Sequence, residues 1–330
     1  MNKHTREELK LYQSLPLEVK IRMSEERIRG WVKTFGEDGV YISFSGGKDS
    51  TVLMDIIRNR MHYDIPAVFI DTGLEYPEIR KFVSTFENVE WIKPEMNFKQ
   101  VITKYGYPFI SKEISQCLHD VTVQSERKGC DKRDTSMWNR VFNINSEYSK
   151  KYPCFSKAKY DFMNDSPFKF SHRCCDIMKK KPAKKYEKQT GRTPIIATMA
   201  SESRLRTTQW LEDGCNAFEV KRPTSKPLSF WTEQDILHYI SKYNITICSV
   251  YGDILNNEGK YTCSGADRTG CMFCGFGCHL EKEGNGRFEL MKKTHPKQYN
   301  YIMRSKEKGG LNYKFVIDWI NEHGHFNIKY

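Results

Sequence analysis

The sequence predicts an α/β fold, in which helices cover both faces of a parallel β-sheet. Short apolar segments of strand length alternate with longer segments that carry apolar residues at helical spacing, and this order is typical of parallel sheets. A chain of 330 residues can bury the core that such a fold requires. After about residue 250 the chain becomes rich in cysteine and loses regular periodicity, so we predict a Cys-rich, irregular C-terminal region.

Each element of the fold is predicted from its own pattern of apolar residues. Residues 5–36 have helical periodicity and precede the first strand. Thr232 is placed to cap a helix, and Asp235, three positions further on, lies in its first turn. The predicted strands are Tyr41–Phe44, Ala67–Ile70, Val89–Ile92 and Ile195–Met199, and the later predicted helices are Asp49–Arg60, Pro77–Phe86, Thr232–Lys242 and a last one near residues 313–322.

The composition excludes several classes of protein. No apolar run approaches the roughly 20 residues that cross a bilayer, and the charged N-terminus lacks the apolar core of a signal peptide, so we predict a cytoplasmic protein with no membrane partner. Eleven cysteines in that compartment indicate metal ligands or reactive thiols rather than disulfides. The formal net charge of +12 favours anionic partners such as nucleotides or nucleic acid.

The loop between the first predicted strand and the next helix has the composition of a phosphate-binding site. It reads Ser-Gly-Gly-Lys-Asp-Ser over residues 45–50. Gly46 and Gly47 permit backbone conformations that other residues avoid, so that N–H groups can turn towards a phosphate at the positive end of the helix. Lys48 adds a full positive charge, and the serines add hydroxyl groups. The spacing differs from that of a Walker A loop.

This loop resembles the signature of the PP-loop superfamily of adenine nucleotide alpha-hydrolase-like ATPases, and within it the phosphoadenosine phosphosulfate (PAPS) reductase family. The resemblance implies a Rossmann-like sheet of the HUP type. Further segments similar to family motifs follow in order between about residues 40 and 275. They are a second-strand motif at Phe69–Pro77, a Cys-Cys segment with a basic helix at His172–Pro182, a Glu-Ser-x-x-Arg motif within Ala197–Arg206, a Pro-x-x-x-Trp-Thr-Glu helix within Lys226–Ile240, and Tyr251-Gly252.

The resemblance implies that the chain binds ATP with Mg²⁺ and cleaves it at the α phosphate, which releases pyrophosphate. Lys48, Asp49 and Arg206 are the expected catalytic residues. Arg204 and Arg206 follow Glu202 at a strand end, where open α/β sheets bind ligands, and are predicted to contact nucleotide phosphates. The residues expected to bind the nucleotide are Ser43, Ser45, Gly46, Gly47, Lys48, Asp49, Ser50, Asp71, Thr72, Gly73, Glu202 and Arg204.

These features divide the chain into three predicted parts. Residues 1–36 form an N-terminal helical segment, and residues 37–250 form the PP-loop nucleotide-binding domain. A basic, aromatic-rich insertion interrupts that domain at about 110–170. Residues 251–330 form a Cys-rich metal-binding region that ends in a helix.

An adjacent cysteine pair and a later Cys-x-x-Cys motif are the most informative cysteines. Two thiolates three positions apart on a turn can hold one metal centre, and an adjacent pair elsewhere can complete four ligands. The spacing resembles the set that holds a [4Fe-4S] cluster in adenylylsulfate (APS) reductases, and the predicted ligands are Cys174, Cys175, Cys271 and Cys274. Cys263 and Cys278 leave an alternative open, because with the Cys-x-x-Cys motif they form a complete local set for Zn²⁺ or an iron–sulfur centre.

Basic residues concentrate in two places. Six lysines lie between Lys179 and Lys188, and a charge run of this kind is either a solvated helix face or, beside a nucleotide site, an anion-binding surface. In the insertion, aromatic side chains interleaved with basic ones suit stacking on nucleic-acid bases as well as core packing. These aromatic residues are Trp138, Tyr148, Tyr152 and Phe155. DNA or tRNA is therefore a candidate partner, and a cysteine desulfurase is a candidate sulfur donor.

Two enzymatic activities and one binding role fit these features. The first is ATP-dependent sulfur transfer, as the resemblance to DNA phosphorothioation and tRNA thiolation members implies. The second is reduction of APS or PAPS to sulfite, although the tail lacks the Glu-Cys-Gly-x-His thiol of such reductases and Cys278-His279 is the nearest substitute. The third is a non-catalytic nucleotide- or nucleic-acid-binding module, which does not need both Lys48 and Asp49. We predict the first.

Overall fold

The computed structural model describes residues 3–153 and 156–330. The described chain forms two compact units, of which the first contains the residues up to Asp71 together with 75–94 and 181–270. The second contains 72–74, 95–180 and 271–330. The sequence-based boundaries near 36 and 250 stay predictions, because a compact unit is not the same as a part that folds alone. Among the described helices, none is both long enough and apolar enough to cross a membrane.

A six-stranded sheet lies at the centre of the first unit. The strands of the described residues are β1 (Val40–Ser43), β2 (Ala67–Ile70), β3 (Val89–Ile92), β4 (Phe109–Ile110), β5 (Thr193–Ile196), β6 (Asn216–Ala217), β7 (Thr224–Ser225), β8 (Ile254–Asn257), β9 (Lys260–Cys263) and β10 (Gly275–Phe276). The sheet has the order β3-β2-β1-β5-β7-β6, and its neighbouring strands are parallel except for β6 and β7. The predicted α/β fold with a largely parallel sheet flanked by helices is confirmed.

Helices connect and cover these strands. The α-helices are α1 (Arg6–Ser14), α2 (Leu17–Phe35), α3 (Lys48–Asp55), α4 (Pro77–Val83), α5 (Phe98–Tyr105), α6 (Lys112–Lys128), α7 (Ser136–Val141), α8 (Glu147–Lys151), α9 (Arg173–Cys175), α10 (Lys181–Thr190), α11 (Arg204–Asp213), α12 (Glu233–Lys242), α13 (Arg287–Thr294), α14 (Pro296–Met303) and α15 (Tyr313–Gly324). Two π-helical turns, Ile56–Arg60 and Asp176–Lys180, extend α3 and α9.

Strong local signals account for the elements that the sequence predicts well. Strands β2 and β3 have the predicted bounds. Helix α12 begins after Thr232, whose side chain accepts a hydrogen bond from the backbone N–H of Asp235 in a reciprocal capping box. The predicted helix over residues 5–36 is two helices, because Pro16 stands between them and has no N–H to donate. Helices α13 and α14, in the region predicted to be irregular, are missing from the sequence prediction.

The core of the first unit is built from side chains on both sides of the sheet. Ile42 of β1, Leu53 of α3 and Trp231 are fully buried in one cluster. A buried ion pair links α2 to α12, since the ammonium group of Lys20 lies 2.7 Å from the carboxylate of Asp235. This packing fixes the start of α3, which carries the phosphate-binding loop.

Aromatic rings dominate the core of the second unit. Tyr313 of α15 is fully buried, and the centroids of its ring and that of Phe109 are 5.0 Å apart. Phe288 of α13 packs edge-on against the same tyrosine. Strands β4 and β10 form a short parallel pair beside these rings. The segment just before β10 contains the Cys-x-x-Cys motif, so this core supports the cysteines.

Candidate functional site

The glycine loop lies where the strand order of the central sheet reverses. β1 has β2 on one side and β5 on the other, and the loop follows β1 directly. Open α/β sheets bind ligands at such a point, outside the carboxyl ends of the strands. The segment that leads into α11 follows β5, and it brings Arg206 close enough to Asp49 for their charges to interact. Both predicted groups of phosphate-binding residues therefore meet at one edge of the sheet.

The two loop glycines are required for different reasons. Gly46 has a φ of +70°, a left-handed conformation that favours glycine. A Cβ atom there would lie 2.7 Å from Val83 Cγ2 and 2.9 Å from Ile79 Cγ2, so α4 packs directly on the loop. At Gly47, the residue before α3, a Cβ atom would lie 3.2 Å from Ser45 Oγ and 3.3 Å from the hydroxyl of Tyr251. The loop thus has no room for a side chain at position 46 and only a tight space for one at position 47.

Hydroxyl groups satisfy much of the loop backbone. Ser50 Oγ donates to the carbonyl oxygen of Gly47 at 2.9 Å and accepts from the N–H of Ser45 at 3.2 Å. The N–H of Gly47 donates to Ser45 Oγ at 3.3 Å, and the N–H of Lys48 donates to the Tyr251 hydroxyl at 3.3 Å. The last two bonds are long for N–H donors. A phosphate oxygen could replace either acceptor at little cost.

The Lys48 side chain is buried and its ammonium group is neutralised. Only 4% of the residue is exposed. Nζ lies 2.9 Å from a carboxylate oxygen of Glu233, at the start of α12, and donates to the carbonyl oxygen of Asp267. It also lies 5.4 Å from the centroid of the Tyr251 ring. The lysine is therefore held at the loop by fixed partners.

The Asp49 carboxyl group has an unusual environment. Burial raises its pKa, although the positive charge of Lys48 acts in the opposite direction. Its Oδ1 atom is buried and has no hydrogen-bond partner among the described residues. A hard cation such as Mg²⁺ is bound by one or two carboxylates together with substrate phosphates, so this orphaned oxygen fits a metal–nucleotide complex. Asp49 is one residue that could hold Mg²⁺.

The residues after β5 form a second polar group. Arg206 makes an ion pair with Glu202, whose carboxylate also accepts the N–H of Met199 at 2.9 Å. Burial lowers the pKa of the Arg206 guanidinium, yet the group stays charged at neutral pH. Arg204 is exposed at the first position of α11. Ser43, the last residue of β1, is half-buried.

The segment after β2 contains the other predicted nucleotide contacts. Asp71 is buried, and one of its carboxylate oxygens accepts from Arg80 at 2.9 Å, while the other has no hydrogen-bond partner among the described residues. Thr72 Oγ1 accepts the N–H of Leu74 at 3.1 Å, and Gly73 has a φ of +73°. Asp71 belongs to the first unit, whereas Thr72 and Gly73 belong to the second.

Several residues that surround the loop are not among the predicted nucleotide-binding or catalytic residues. Glu233, Tyr251 and the segment Asp267–Thr269 surround the loop, and the Tyr251 hydroxyl lies 2.5 Å from Thr269 Oγ1. The glycine after Tyr251 is the feature of the sequence that could have indicated these contacts. A Cβ atom on Gly252 would lie 2.2 Å from Ser264 Oγ, so this position has no room for a side chain. A polar segment flanked by glycines beside a family motif could have indicated this contact.

The adjacent cysteines lie in the second unit and share a hydrogen bond. That bond from Cys174 lowers the pKa of the Cys175 thiol, with help from the charges of Lys112, Lys179 and Lys180. The same bond raises the pKa of Cys174, and burial and the neighbouring thiols act in the same direction. Those neighbours include both cysteines of the Cys-x-x-Cys motif, so the four predicted ligands are within electrostatic range of one another.

The Cys-x-x-Cys turn is held by bonds to its backbone. Tyr313 donates its hydroxyl to the carbonyl oxygen of Phe273 at 2.6 Å, and Arg287 donates to that of Cys274 at 2.6 Å. Gly275, the next residue, cannot be replaced freely, because a Cβ atom would lie 2.7 Å from a ring carbon of Phe109. These bonds fix the turn without using its thiols.

The other two candidate ligands differ in position and environment. Cys263 belongs to the first unit, and its charged neighbours are Lys48, Asp267 and Glu233. Cys278 is buried, and burial raises its pKa to about 12. Desolvation outweighs the positive charge of Arg287, which acts in the opposite direction on the same thiol. Within residues 3–153 and 156–330, no three His, Cys, Asp or Glu side chains are grouped to hold a single metal ion.

The two basic regions differ in structure. The lysines from Lys179 to Lys188 lie on a π-helical turn and on α10, and their side chains are exposed. In the insertion, the guanidinium of Arg140 lies 4.9 Å from the ring centroid of Tyr148, whose ring is 5.0 Å from that of Tyr152. The indole N–H of Trp138 donates to Asp161. Phe155 lies outside the described residues.

The fold and the loop together define an α/β protein with a nucleotide-binding fold. A family model described as the phosphoadenosine phosphosulfate reductase domain matches residues 39–119 and 133–274, and the chain belongs to this family. The match covers all the predicted catalytic residues and metal ligands.

Two uncharacterized proteins of Methanocaldococcus jannaschii are similar to parts of the chain. One is 28% identical over 130 residues, which are 38% of this chain and 29% of the relative. The other is 41% identical over 73 residues, which are 21% of this chain and 15% of the relative. The chain therefore spans less than a third of either relative.

Two solved structures resemble the chain distantly. PAPS reductase from Candida auris, in a phosphate complex, has a TM-score of 0.39 at 15% identity, over 75% of this chain and 91% of that one. FMN adenylyltransferase from Candida glabrata, in complex with ATP, has a TM-score of 0.37 at 11% identity, over 74% of this chain and 64% of that one. Likeness at this level carries no argument about function.

Proposed function

We propose that the chain binds ATP at the Ser45–Ser50 loop and cleaves it between the α and β phosphates to activate an acceptor. One observation carries the proposal: an intact loop with a buried lysine and a buried, unpaired aspartate oxygen at the switch point of the sheet. A module that only binds nucleotide does not need both Lys48 and Asp49. Family membership supports a nucleotide substrate.

Each protein group has a part in this reaction. Backbone N–H groups at the start of α3 and the Lys48 ammonium would neutralise the phosphates, while Asp49 would hold Mg²⁺. An acceptor oxygen attacks the α phosphorus, the bond from that phosphorus to the bridging oxygen breaks, and pyrophosphate leaves. Arg206 is close enough to Asp49 for their charges to interact, and it would stabilise the negative charge that develops on the α phosphate. Positioning and charge neutralisation supply most of the acceleration.

We propose that the four predicted cysteine ligands, which all lie in the second unit, hold a four-iron cluster rather than a single ion. A single Zn²⁺ needs all its ligands within about 2.3 Å of one point. A [4Fe-4S] cluster places each thiolate on a different iron, so its ligands stand further apart. Bound there, it would supply a sulfur-carrying or electron-transferring centre. Cys174, Cys175, Cys271 and Cys274 would hold it.

The chemistry we propose for the activated acceptor is sulfur transfer, with nucleic acid as the acceptor. The net charge of +12 and the exposed lysines between Lys179 and Lys188 support a polyanionic acceptor. In the transfer step a sulfur nucleophile attacks the activated carbon or phosphorus, and AMP leaves with the acceptor oxygen. A cysteine desulfurase is the proposed source of sulfur. We therefore propose that the chain functions like the family members that add sulfur to DNA or tRNA.

Reduction of APS or PAPS is the second candidate, because the matching family is named for it. Such a reductase attacks sulfate sulfur with a thiolate that must be accessible. Cys278 is 3% exposed, and burial raises its pKa to about 12. It is therefore almost entirely a buried thiol at neutral pH, and this favours the sulfur-transfer proposal.

The test of the proposal is pyrophosphate and AMP formation from ATP and Mg²⁺, with and without single-stranded DNA or tRNA. We expect nucleic acid to stimulate the reaction, and we expect Lys48→Ala and Asp49→Ala each to abolish pyrophosphate release while circular dichroism stays unchanged. Glu258→Ala, an exposed substitution in the first unit, is the control. Unchanged turnover in both loop variants would show that the loop is not the site. Sulfite formation from APS or PAPS would instead support the reductase.

A further inference from the structure

A cavity of about 510 Å³ lies in the second unit, between α6 and the segment that begins at His172. Its volume is in the range of small-molecule sites. Residues spaced for one helix face contribute one wall, with Lys112, His119 and Asp120 from α6. Arg173 and Lys180 contribute to the opposite wall, next to the Cys-Cys pair. None of these residues belongs to the nucleotide loop.

The cavity carries an excess of positive charge. Lys112, Arg173 and Lys180 provide three cations, against the carboxylates of Asp120 and Asp176. The Asp176 carboxylate lies 3.8 Å from the Arg173 guanidinium, at the edge of ion-pair distance. Arg173 is also held over the ring of Tyr105, at 5.3 Å from its centroid, and this contact fixes the direction of its planar donor group.

Two histidines complete the wall with neutral hydrogen-bonding groups. The rings of His119 and His172 pack edge to face, with centroids 5.7 Å apart. Burial lowers the pKa of His119, so its imidazole is uncharged at neutral pH and offers one N–H. Nδ1 of His172 is buried and has no hydrogen-bond partner among the described residues. Buried polar atoms are usually hydrogen-bonded, so this nitrogen is open to a ligand that forms a hydrogen bond with it.

We propose that this cavity binds a small molecule that carries a tetrahedral oxyanion, a phosphate or sulfate group, held by Lys112, Arg173 and Lys180. Among the described residues, no Phe, Tyr or Trp side chain lines the cavity, so these residues provide no stacking platform of the kind that binds single-stranded nucleic acid. Asp120 and Asp176 would repel a polyanion but accept hydrogen bonds from hydroxyl or amino groups on a small ligand. Arg173 and Asp176, which line the cavity, flank the Cys-Cys pair in the chain, so the ligand binds beside the cysteines.

The proposal does not depend on ATP cleavage, and its test keeps the two apart. Sulfate and inorganic phosphate are titrated by calorimetry into the full chain carrying Lys48→Ala, which removes phosphate binding at the loop. Sodium chloride at equal ionic strength is the baseline. We expect Lys112→Gln and Lys180→Gln each to weaken the affinity about tenfold, because a hydrogen bond from a charged donor to an oxyanion is lost.

Lys128→Gln is the matched control, since Lys128 is an exposed lysine at the far end of the same helix and does not line the cavity. It should leave the affinity unchanged. Equal weakening in all three variants would show a general effect of charge and overturn the proposal, as would the lack of binding above the chloride baseline. Binding of a single-stranded oligonucleotide that depends on Lys112, without binding of either small anion, would also overturn it.

Discussion

Replacing Gly46 by alanine tests whether the loop conformation is set by the contact with α4. At a φ of +70° alanine costs about 1–2 kcal/mol of folding free energy from backbone strain alone. The new Cβ would also lie 2.7 Å from Val83 Cγ2, and overpacking of this kind costs a further 1–3 kcal/mol or so. We therefore expect Gly46→Ala to lower the free energy of unfolding by about 2–5 kcal/mol.

Gly191→Ala is the matched control for this substitution. Gly191 has a φ of +73°, and a Cβ atom there meets nothing within 4 Å, so only the backbone cost applies. In urea unfolding followed by tryptophan fluorescence, Gly46→Ala should be less stable than Gly191→Ala. The difference should equal the cost of the close contact with Val83, about 1–3 kcal/mol. Adding Val83→Ala to Gly46→Ala removes the clashing methyl groups, and the double variant should cost less than the sum of the two single variants.

ATP binding should also differ between the Gly46→Ala and Gly191→Ala variants. Displacement of the loop should abolish ATP binding in Gly46→Ala, whereas Gly191→Ala should bind ATP normally. Equal stability of the two variants, or purely additive costs in the double variant, would refute the view that α4 sets the loop conformation.

Three further predictions follow from the described side chains. Without ligand, Asp49→Asn should be more stable than the parent at pH 7, because burial raises the pKa of Asp49 and ionisation therefore disfavours the folded state. This gain in stability should vanish below about pH 3.9, where the aspartate is protonated in both the folded and the unfolded state. A gain that does not depend on pH would contradict this cause. The anaerobically purified protein should be brown and contain about four irons per chain, with iron lost in Cys174→Ser and retained in Cys263→Ser; a colourless protein with one zinc that requires Cys263 would mean that the local set is the metal site. Neither APS nor PAPS should yield sulfite, and robust sulfite release that disappears in Cys278→Ser would reverse the choice between the two activities.

The sequence predicts those parts of the fold and site that depend on neighbours along the chain. The strand, loop and helix from Tyr41 to Arg60 are such a case, because apolar spacing, two glycines and a helix start lie within twenty residues. Helix α12 is another, since Thr232 and Asp235 cap it within a single turn. Local chemistry of this kind leaves a signature that can be read without knowing the tertiary structure.

Contacts between distant parts of the chain could not be predicted in the same way. The N–H of Lys48 donates to a hydroxyl 203 positions later, and its ammonium group pairs with Glu233. Nothing near Lys48 in the sequence indicates that its charge is neutralised. Helix α13 was missed for a different reason. Only Phe288 and Met291 are buried in this helix, and two buried residues leave a weak helical pattern in the sequence.

The properties of the loop indicate that it is arranged for a ligand rather than for stability. Two of its N–H groups make hydrogen bonds of 3.3 Å, and Asp49 keeps a buried oxygen without a partner. Binding of phosphate and Mg²⁺ would remove each of these costs, so the ligand should stabilise the parent protein by about 2.7 kcal/mol at a concentration 100 times its Kd. Asp49→Asn should reverse the order of stability, being more stable than the parent without ATP and less stable with it. A carboxylate with a purely structural role would give the same order in both conditions, because its contribution would not change when ATP and Mg²⁺ bind.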